Sequence, residues 1–386
     1  MGGRTLGSAF DWDLLIAGAG VVGLACAARL SAAGRRVLVV ERHEGICREG
    51  SSRNSEVVHA GLYYPEGSLK ARTCVAGRHS LYNRCRRLGI PARATGKLIV
   101  ATEPGEVPEL EELLERGTRN GVEGLQLLEG ADLNKREPEV AGLAALWSPQ
   151  SGIVDSHAFA RSFQAEAEGK GATLAFRTEI TGVEPLRDGY RLRMESRSEA
   201  GEFTTTSRQV VNAAGLGQPL VSQALGLDLD ETGYRQHLCK GDWFTVAHRH
   251  RGRLTSLIYP VGRATDGGLG LHSCMDLGGG LRLGPDAEWI AGFPEELLVD
   301  PSKRRAFWQA GRRLFPWLEE ADLSPDQAGL RPKLTDQDGV FSDFVVAEEG
   351  ARGFPGWVTL AGIESPGLTA APQLAEEVAA LLERPT

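Results

Sequence analysis

Between Asp13 and Glu41 the chain reads DLLIAGAGVVGLACAARLSAAGRRVLVVE, and this stretch constrains the fold more than any other. Leu14 to Ala17 predict a short buried strand. A glycine turn follows, and apolar residues at Val21, Leu24, Ala25, Ala28 and Leu30 recur at helical spacing. Val37 to Val40 predict a second strand. The glycines have separate tasks: Gly18 permits the tight turn, Gly20 lets the backbone approach a pyrophosphate, and Gly23 lets helix and strand pack closely. Val21 and Val22 open the helix, where unpaired N–H groups and the positive dipole end favour an anion. Glu41, followed by Arg42, closes the second strand, placed to accept hydrogen bonds from ribose hydroxyls and to repel a 2′-phosphate. Strand, turn, helix, strand and acid in register predict a Rossmann-like unit that binds a dinucleotide other than NADP.

The segment after the second strand decides which dinucleotide. Glu49 to Tyr64 is a polar loop with Ser51, Ser52, Arg53, Asn54 and Ser55, then a more apolar stretch. Such a loop supplies hydroxyls, amides and a cation to a second phosphate and a flavin ring, whereas an NAD dehydrogenase more often continues with regular βαβ units. The expected cofactor is FAD.

With 386 residues, 41% apolar and 24% charged, the chain is long enough for two domains sharing one site. A net charge of −8 argues against a nucleic-acid partner, and the arginines are interleaved with acids. The six cysteines form no CxxC pair and no zinc-like cluster, so no metal is expected and the thiols read as reduced. No apolar run approaches ~18 residues and Met1 to Phe10 lacks a signal-like core, so no transmembrane segment is expected. The reading places the protein in the cytoplasm, free or peripheral to a membrane.

Longer stretches carry a resemblance. RNSEVVHAGLYYPEGSLKARTCVAG (53–77), GKLIVA (96–101), SGIVD (151–155), VVNAAGL (210–216), KGDWF (240–244), IYPV (258–261), GLHS (270–273) and GLRPKL (329–334) follow one another in a shared order. The chain resembles the D-amino-acid-oxidase superfamily of FAD proteins, and within it the L-2-hydroxyglutarate dehydrogenase or oxidase family. It departs at Glu56, where the family usually has a small residue, and in a shorter region after Gly284-Pro285.

The resemblance implies an α/β fold: a discontinuous Rossmann-like FAD-binding domain of the GR2 type (10–87, 151–219, 325–386) and a mixed β-sheet substrate domain (88–150, 220–324). Residues 172–183 read as paired strands, with Ile180 passing the adenine edge. Residues 208–216 read as a buried strand whose small end, Ala213, Ala214 and Gly215, approaches the FAD. Residues 357–374 repeat strand, glycine loop and helix. Their loop, Gly362, Ile363, Glu364, Ser365, Gly367, Leu368 and Thr369, sets N–H groups and a helix N-terminus against the flavin pyrimidine. Substrate-domain strands are expected near 242–247, 253–260 and 268–272, with an acidic helix around 106–115.

Oxidation of a 2-hydroxy acid needs a base for the hydroxyl proton and an anchor for the carboxylate. By resemblance to the sarcosine oxidases, His272 is the expected base or hydrogen-bond donor, with Tyr259 on the strand upstream. His59 lines the flavin, acts catalytically or carries a covalent flavin link. Arg331 has the guanidinium fork that matches a carboxylate. Lys240 and Lys333 are further candidates for a distal carboxylate. The chain has no GxSxG, HExxH or P-loop lysine, and no second nucleotide turn at Gly278 to Gly280. Electrons then pass to a quinone, a carrier protein or oxygen. The lysine of oxygen-activating relatives is missing from 268–271, which favours a dehydrogenase. The expected reaction is conversion of L-2-hydroxyglutarate or a close analogue to the 2-oxo acid. An amine or amino-acid oxidase of the same fold and a non-catalytic flavin subunit are the alternatives.

Overall fold

The computed structural model describes residues 10–32, 34–197, 201–261, 270–335 and 340–383. The first strand, Trp12–Ala17, runs parallel between Val37–Val40 and the second half of Gly201–Asn212. Trp357–Ala361 pairs parallel on the far side of that half, and Thr173–Ala175 closes the opposite edge beside Val37–Val40. Thr178–Leu186 and Gly189–Ser196 form an antiparallel extension on Gly201–Asn212, and Val345–Glu348 pairs antiparallel with Trp357–Ala361. These eight strands form one sheet among the described residues.

The central strands are apolar at consecutive positions because both faces are covered. Leu14, Ile16, Val37 and Val39 face a cluster built with helices Val21–Leu30, Leu69–Leu88, Ser156–Gly169 and Gly367–Leu382. Leu15, Ala17, Leu38 and Val40 face the other way, against Tyr190, Leu192 and helix Gln218–Leu225.

The second sheet is mixed. Its order is Glu288–Ile290, His237–Val246, Leu281–Gly284, His272–Met275, Leu257–Pro260, Lys97–Ala101, Ala144–Ser148 and Gln126–Glu129, with Leu323–Lys333 also pairing His237–Val246. A small sheet of Val57–Val58, Gly152–Val154 and Ala92–Arg93 lies beside these two. The acidic helix is Val107–Arg119. Glu56, the departing residue, takes φ 58° and accepts the backbone N–H and hydroxyl of Ser156.

Three expectations change. Thr173–Ala175 and Thr178–Leu186 are both strands but do not pair with each other; a turn carries them to opposite edges of the first sheet. Residues 325–333, grouped above with the cofactor domain, run in the second sheet, because Leu323–Lys333 finds its hydrogen-bond partners along His237–Val246. The strand expected at 253–260 begins only at Leu257. Of the strand expected at 268–272, Gly268 and Leu269 lie outside the described residues, and His272 opens the strand His272–Met275.

Candidate active site

A cleft of about 490 Å³ runs between the two sheets, within the size range of ligand sites. At one end it is lined by Gly18, Gly20, Val21 and Val22. Gly23 stays outside and does its work in packing, since a Cβ there would overlap the Gly18 carbonyl oxygen. Gly18 has φ 99°, and a Cβ on it would stand 2.7 Å from the Ala213 carbonyl oxygen. Helix Val21–Leu30 starts at Gly20 with no side-chain cap and no acid in its first turn. Helix Gly367–Leu382, whose start also lines the cleft, is likewise uncapped. Two uncompensated positive helix ends facing one cavity fit an anionic pyrophosphate at one and an electron-rich ring at the other. The residues present thus fit FAD.

Around the first end, Glu41 accepts the backbone N–H of Ala19 at 2.9 Å and of His43 at 2.9 Å, which fixes its carboxylate at the strand end. Arg42 lines the cleft while ion-paired to Glu49. Ser51 accepts the Val21 N–H at 3.0 Å, tying the polar loop to the helix start. Arg53, Asn54, Ser55, Ile180, Ala213, Ala214 and Gly215 complete this part of the wall. Ser52 does not: its hydroxyl turns back to the Glu49 carbonyl, 3.0 Å away.

At the other end, Ile363, Glu364, Ser365, Gly367 and Leu368 line the cleft. Gly362 and Thr369 stand behind this wall. Gly362 has φ 66° and abuts Leu334, and the buried Thr369 hydroxyl accepts the His59 backbone N–H at 3.0 Å. Glu364 pairs with Lys70 at 2.9 Å and Lys333 at 3.1 Å. Burial alone would raise its pKa, but the two lysines outweigh burial and hold it low. Lys333 therefore already has an anionic partner.

Register explains the remaining wall. Leu257 lies opposite Lys97, Ile258 opposite Ser273, His272 opposite Gly284, and Cys239 opposite Arg331. Because side chains alternate along a strand, Tyr259, His272, Gly241, Trp243 and Arg331 leave one face of the second sheet into the cleft, and Lys97 leaves the same face without lining it. Lys240 and Asp242 leave the other. Lys240 is accordingly not in the cleft: it is ion-paired to buried Asp242 at 2.8 Å, which corrects its candidacy for a distal carboxylate.

His272 is buried, stacked on Tyr259 at 3.8 Å and edge-on to Trp243 at 5.5 Å. Its Nδ1 lies 2.9 Å from the Gly270 carbonyl oxygen, which can only accept, so Nδ1 carries the proton and Nε2 a lone pair. Burial first, then Lys97 and Arg331, push its pKa down to about 3 against the opposing Gly270 hydrogen bond. His59, whose Nε2 meets the Ser365 hydroxyl at 3.2 Å, is held well below the ordinary value by burial, Lys97 and His272. Two neutral histidines face one cavity.

Arg331 donates to the carbonyls of Cys239, Lys240 and Asp286 through Nε and Nη2. It has no carboxylate partner among the described residues. A guanidinium fixed from behind by neutral carbonyls, with Nη1 making no hydrogen bond, keeps its charge for an incoming anion.

Lys70, Lys97 and Trp243 were not anticipated. A lysine opening the otherwise apolar run KLIVA was a signal for Lys97, and alternation along KGDWF was one for Trp243.

The comparisons agree with this geometry. Residues 13–381 match a family model described as FAD dependent oxidoreductase. A mitochondrial L-2-hydroxyglutarate dehydrogenase of Arabidopsis thaliana is 38% identical, over 95% of this chain and 82% of its own length. An L-2-hydroxyglutarate dehydrogenase of Indibacter alkaliphilus is 29% identical over 88% of this chain and 92% of its own. An FAD-bound L-alpha-glycerophosphate oxidase from Mycoplasma pneumoniae superposes with a TM-score of 0.84 at 26% identity, covering 97% of this chain and 95% of that one. A glycine oxidase from Geobacillus kaustophilus, 20% identical, shares the fold with a TM-score of 0.78 over 97% of this chain and 95% of its own. The chain belongs to the FAD-dependent oxidoreductases of the D-amino-acid-oxidase type, and among them to the L-2-hydroxyglutarate dehydrogenase family.

Proposed function

We propose that this chain oxidises L-2-hydroxyglutarate to the 2-oxo acid. The observation that carries the reading is that, among the described residues, one sheet face holds an arginine without an anionic partner and a neutral histidine whose Nε2 makes no hydrogen bond. Arg331 grips the carboxylate next to the hydroxyl-bearing carbon. His272 Nε2 accepts the hydroxyl proton, and the rings of Tyr259 and Trp243 orient the imidazole and keep water from it. His59 borders the cofactor, held by Ser365. FAD held by these residues would supply the two-electron acceptor for the hydride leaving C2. Lys70 and Lys333, both in the cleft wall beside Glu364, are the cations that support a subsite for the distal carboxylate of a dicarboxylic acid.

The relatives' names include the word dehydrogenase, which supports a quinone or carrier protein as electron acceptor in place of oxygen. No helix among the described residues is long and apolar enough to cross a membrane, so we place the work in the cytoplasm or at a membrane surface. The test is anaerobic mixing of holoprotein with L-2-hydroxyglutarate, L-lactate, glycerol 3-phosphate, sarcosine and D-amino acids while the flavin's visible absorbance is followed. Bleaching by L-2-hydroxyglutarate is expected. Bleaching by amines alone moves the chain to amine oxidation, and bleaching by none favours a non-catalytic flavin subunit. Oxygen uptake against reduction of a quinone analogue then separates the acceptors.

A further inference from the structure

Lys97 opens the strand Lys97–Ala101 and is 0% exposed. No hydrogen-bond partner meets its Nζ among the described residues; the atom sits 3.8 Å from the Tyr259 ring centre and 5.3 Å from that of Tyr63. Tyr259 is in turn stacked on His272 at 3.8 Å and 15°. One aromatic ring therefore touches an ammonium and an imidazole that leave the same sheet face from the strands on either side of it. A proton on His272 would bring a second cation against that ring.

Among the described residues nothing nearby compensates it. Lys97 and the two histidines are faced by Tyr63 and Tyr64 after Val57–Val58, Cys74 of helix Leu69–Leu88, Tyr259, Cys274, and Arg331 across the cleft. Beyond these, Glu364 acts on Tyr64, Arg78 on Cys74 and Arg282 on Cys274. Burial pushes the thiols of Cys74 and Cys274 up to about 12 and about 11, so both are neutral.

We propose that Lys97 is a positioning residue for the proton: its ammonium, acting across Tyr259, adds to burial in holding His272 in the neutral form whose Nε2 receives the substrate hydroxyl proton. The inference rests on the reading of His272 as the base. Burial lowers the Lys97 ammonium to about 7. The charge is thus half present at neutrality and full in acid, where it adds to burial in opposing a proton on His272, and it fades above.

The experiment uses FAD-loaded protein with 15N-labelled histidines, without substrate, and follows imidazole resonances by long-range proton–nitrogen correlation across pH. The His272 signal is identified by its loss in H272N. In the wild type it should report an Nδ1–H tautomer with an inflection near pH 7, the titration of Lys97. K97M and K97R should both remove the inflection, since neither side chain titrates there; either variant that keeps FAD suffices. In anaerobic flavin reduction, the acid limb should move up by roughly one pH unit in K97M and stay in place in K97R. A wild type without the inflection, an inflection that survives in K97M or K97R, or acid limbs that coincide in wild type and K97M overturns the proposal. If no small acid bleaches the wild-type flavin, the base role of His272 fails separately, and the histidine spectra still show whether Lys97 and His272 are coupled.

Discussion

His272 keeps its proton on Nδ1 because the Gly270 carbonyl leaves it no other choice, and this single hydrogen bond leaves Nε2 as the proton acceptor of this ring. H272N keeps the shape and loses the base, so flavin reduction by substrate should slow by roughly 10²- to 10⁴-fold with FAD content unchanged, as measured by stopped-flow absorbance. R331K keeps the charge and loses the fork. The substrate concentration for half-maximal reduction should rise roughly 10- to 100-fold, with a smaller fall in limiting rate. Burial also couples His272 to stability. Its pKa falls from the ordinary 6.5 to about 3, so across that window the unfolded chain binds more protons and the fold weakens as pH drops, by roughly 1.4 kcal/mol per pH unit for this group. Thermal melts of the wild type should fall more steeply with acid than those of H272N; parallel curves would count against a buried neutral histidine. His272 and Arg331 were legible only through resemblance, because a lone histidine at a strand end looks the same whether it packs or reacts.

The turn from first strand to first helix was legible without help, since each glycine answers a separate steric demand there. G23A should push the helix off Gly18 and lower FAD occupancy, read as flavin absorbance per protein, while G169A, at a glycine without a left-handed backbone and with nothing within 4 Å of an added Cβ, should retain FAD. Thr369 shows how an element can matter from behind the wall: T369V removes the acceptor of the buried His59 N–H and should cost about 1 to 3 kcal/mol in denaturant melts. Elements also explain the misplacements. Lys240 looked like an anion ligand in KGDWF, but the two-residue period of its strand sends it and Asp242 away from the cleft and sends Gly241 and Trp243 in. Thr178–Leu186 pairs with the next strand, Gly189–Ser196, whereas Thr173–Ala175 finds its partner in Val37–Val40, about 135 residues earlier, which local pattern does not specify.

At the scale of the whole molecule, a parallel sheet clad in helices holds the nucleotide end of the cleft and a mixed sheet supplies the reactive face. Residues 325–333, a strand after the substrate segments, stay with the second sheet and thereby bring Arg331 to His272. Because residues of both sheets line one cleft, ligand and fold are linked: at a hundred times its dissociation constant, FAD should add about 2.7 kcal/mol of stability, and melts of protein stripped of flavin should show a lower midpoint that added FAD restores. The central claim is a balanced exchange between one substrate and one flavin. The measurement that tests it most directly is a single anaerobic turnover of excess L-2-hydroxyglutarate with holoprotein, quantifying the 2-oxo acid by mass spectrometry against the flavin reduced. The account predicts one molecule of 2-oxoglutarate per flavin; flavin that stays oxidised, or bleaches with no 2-oxo acid formed, would contradict it.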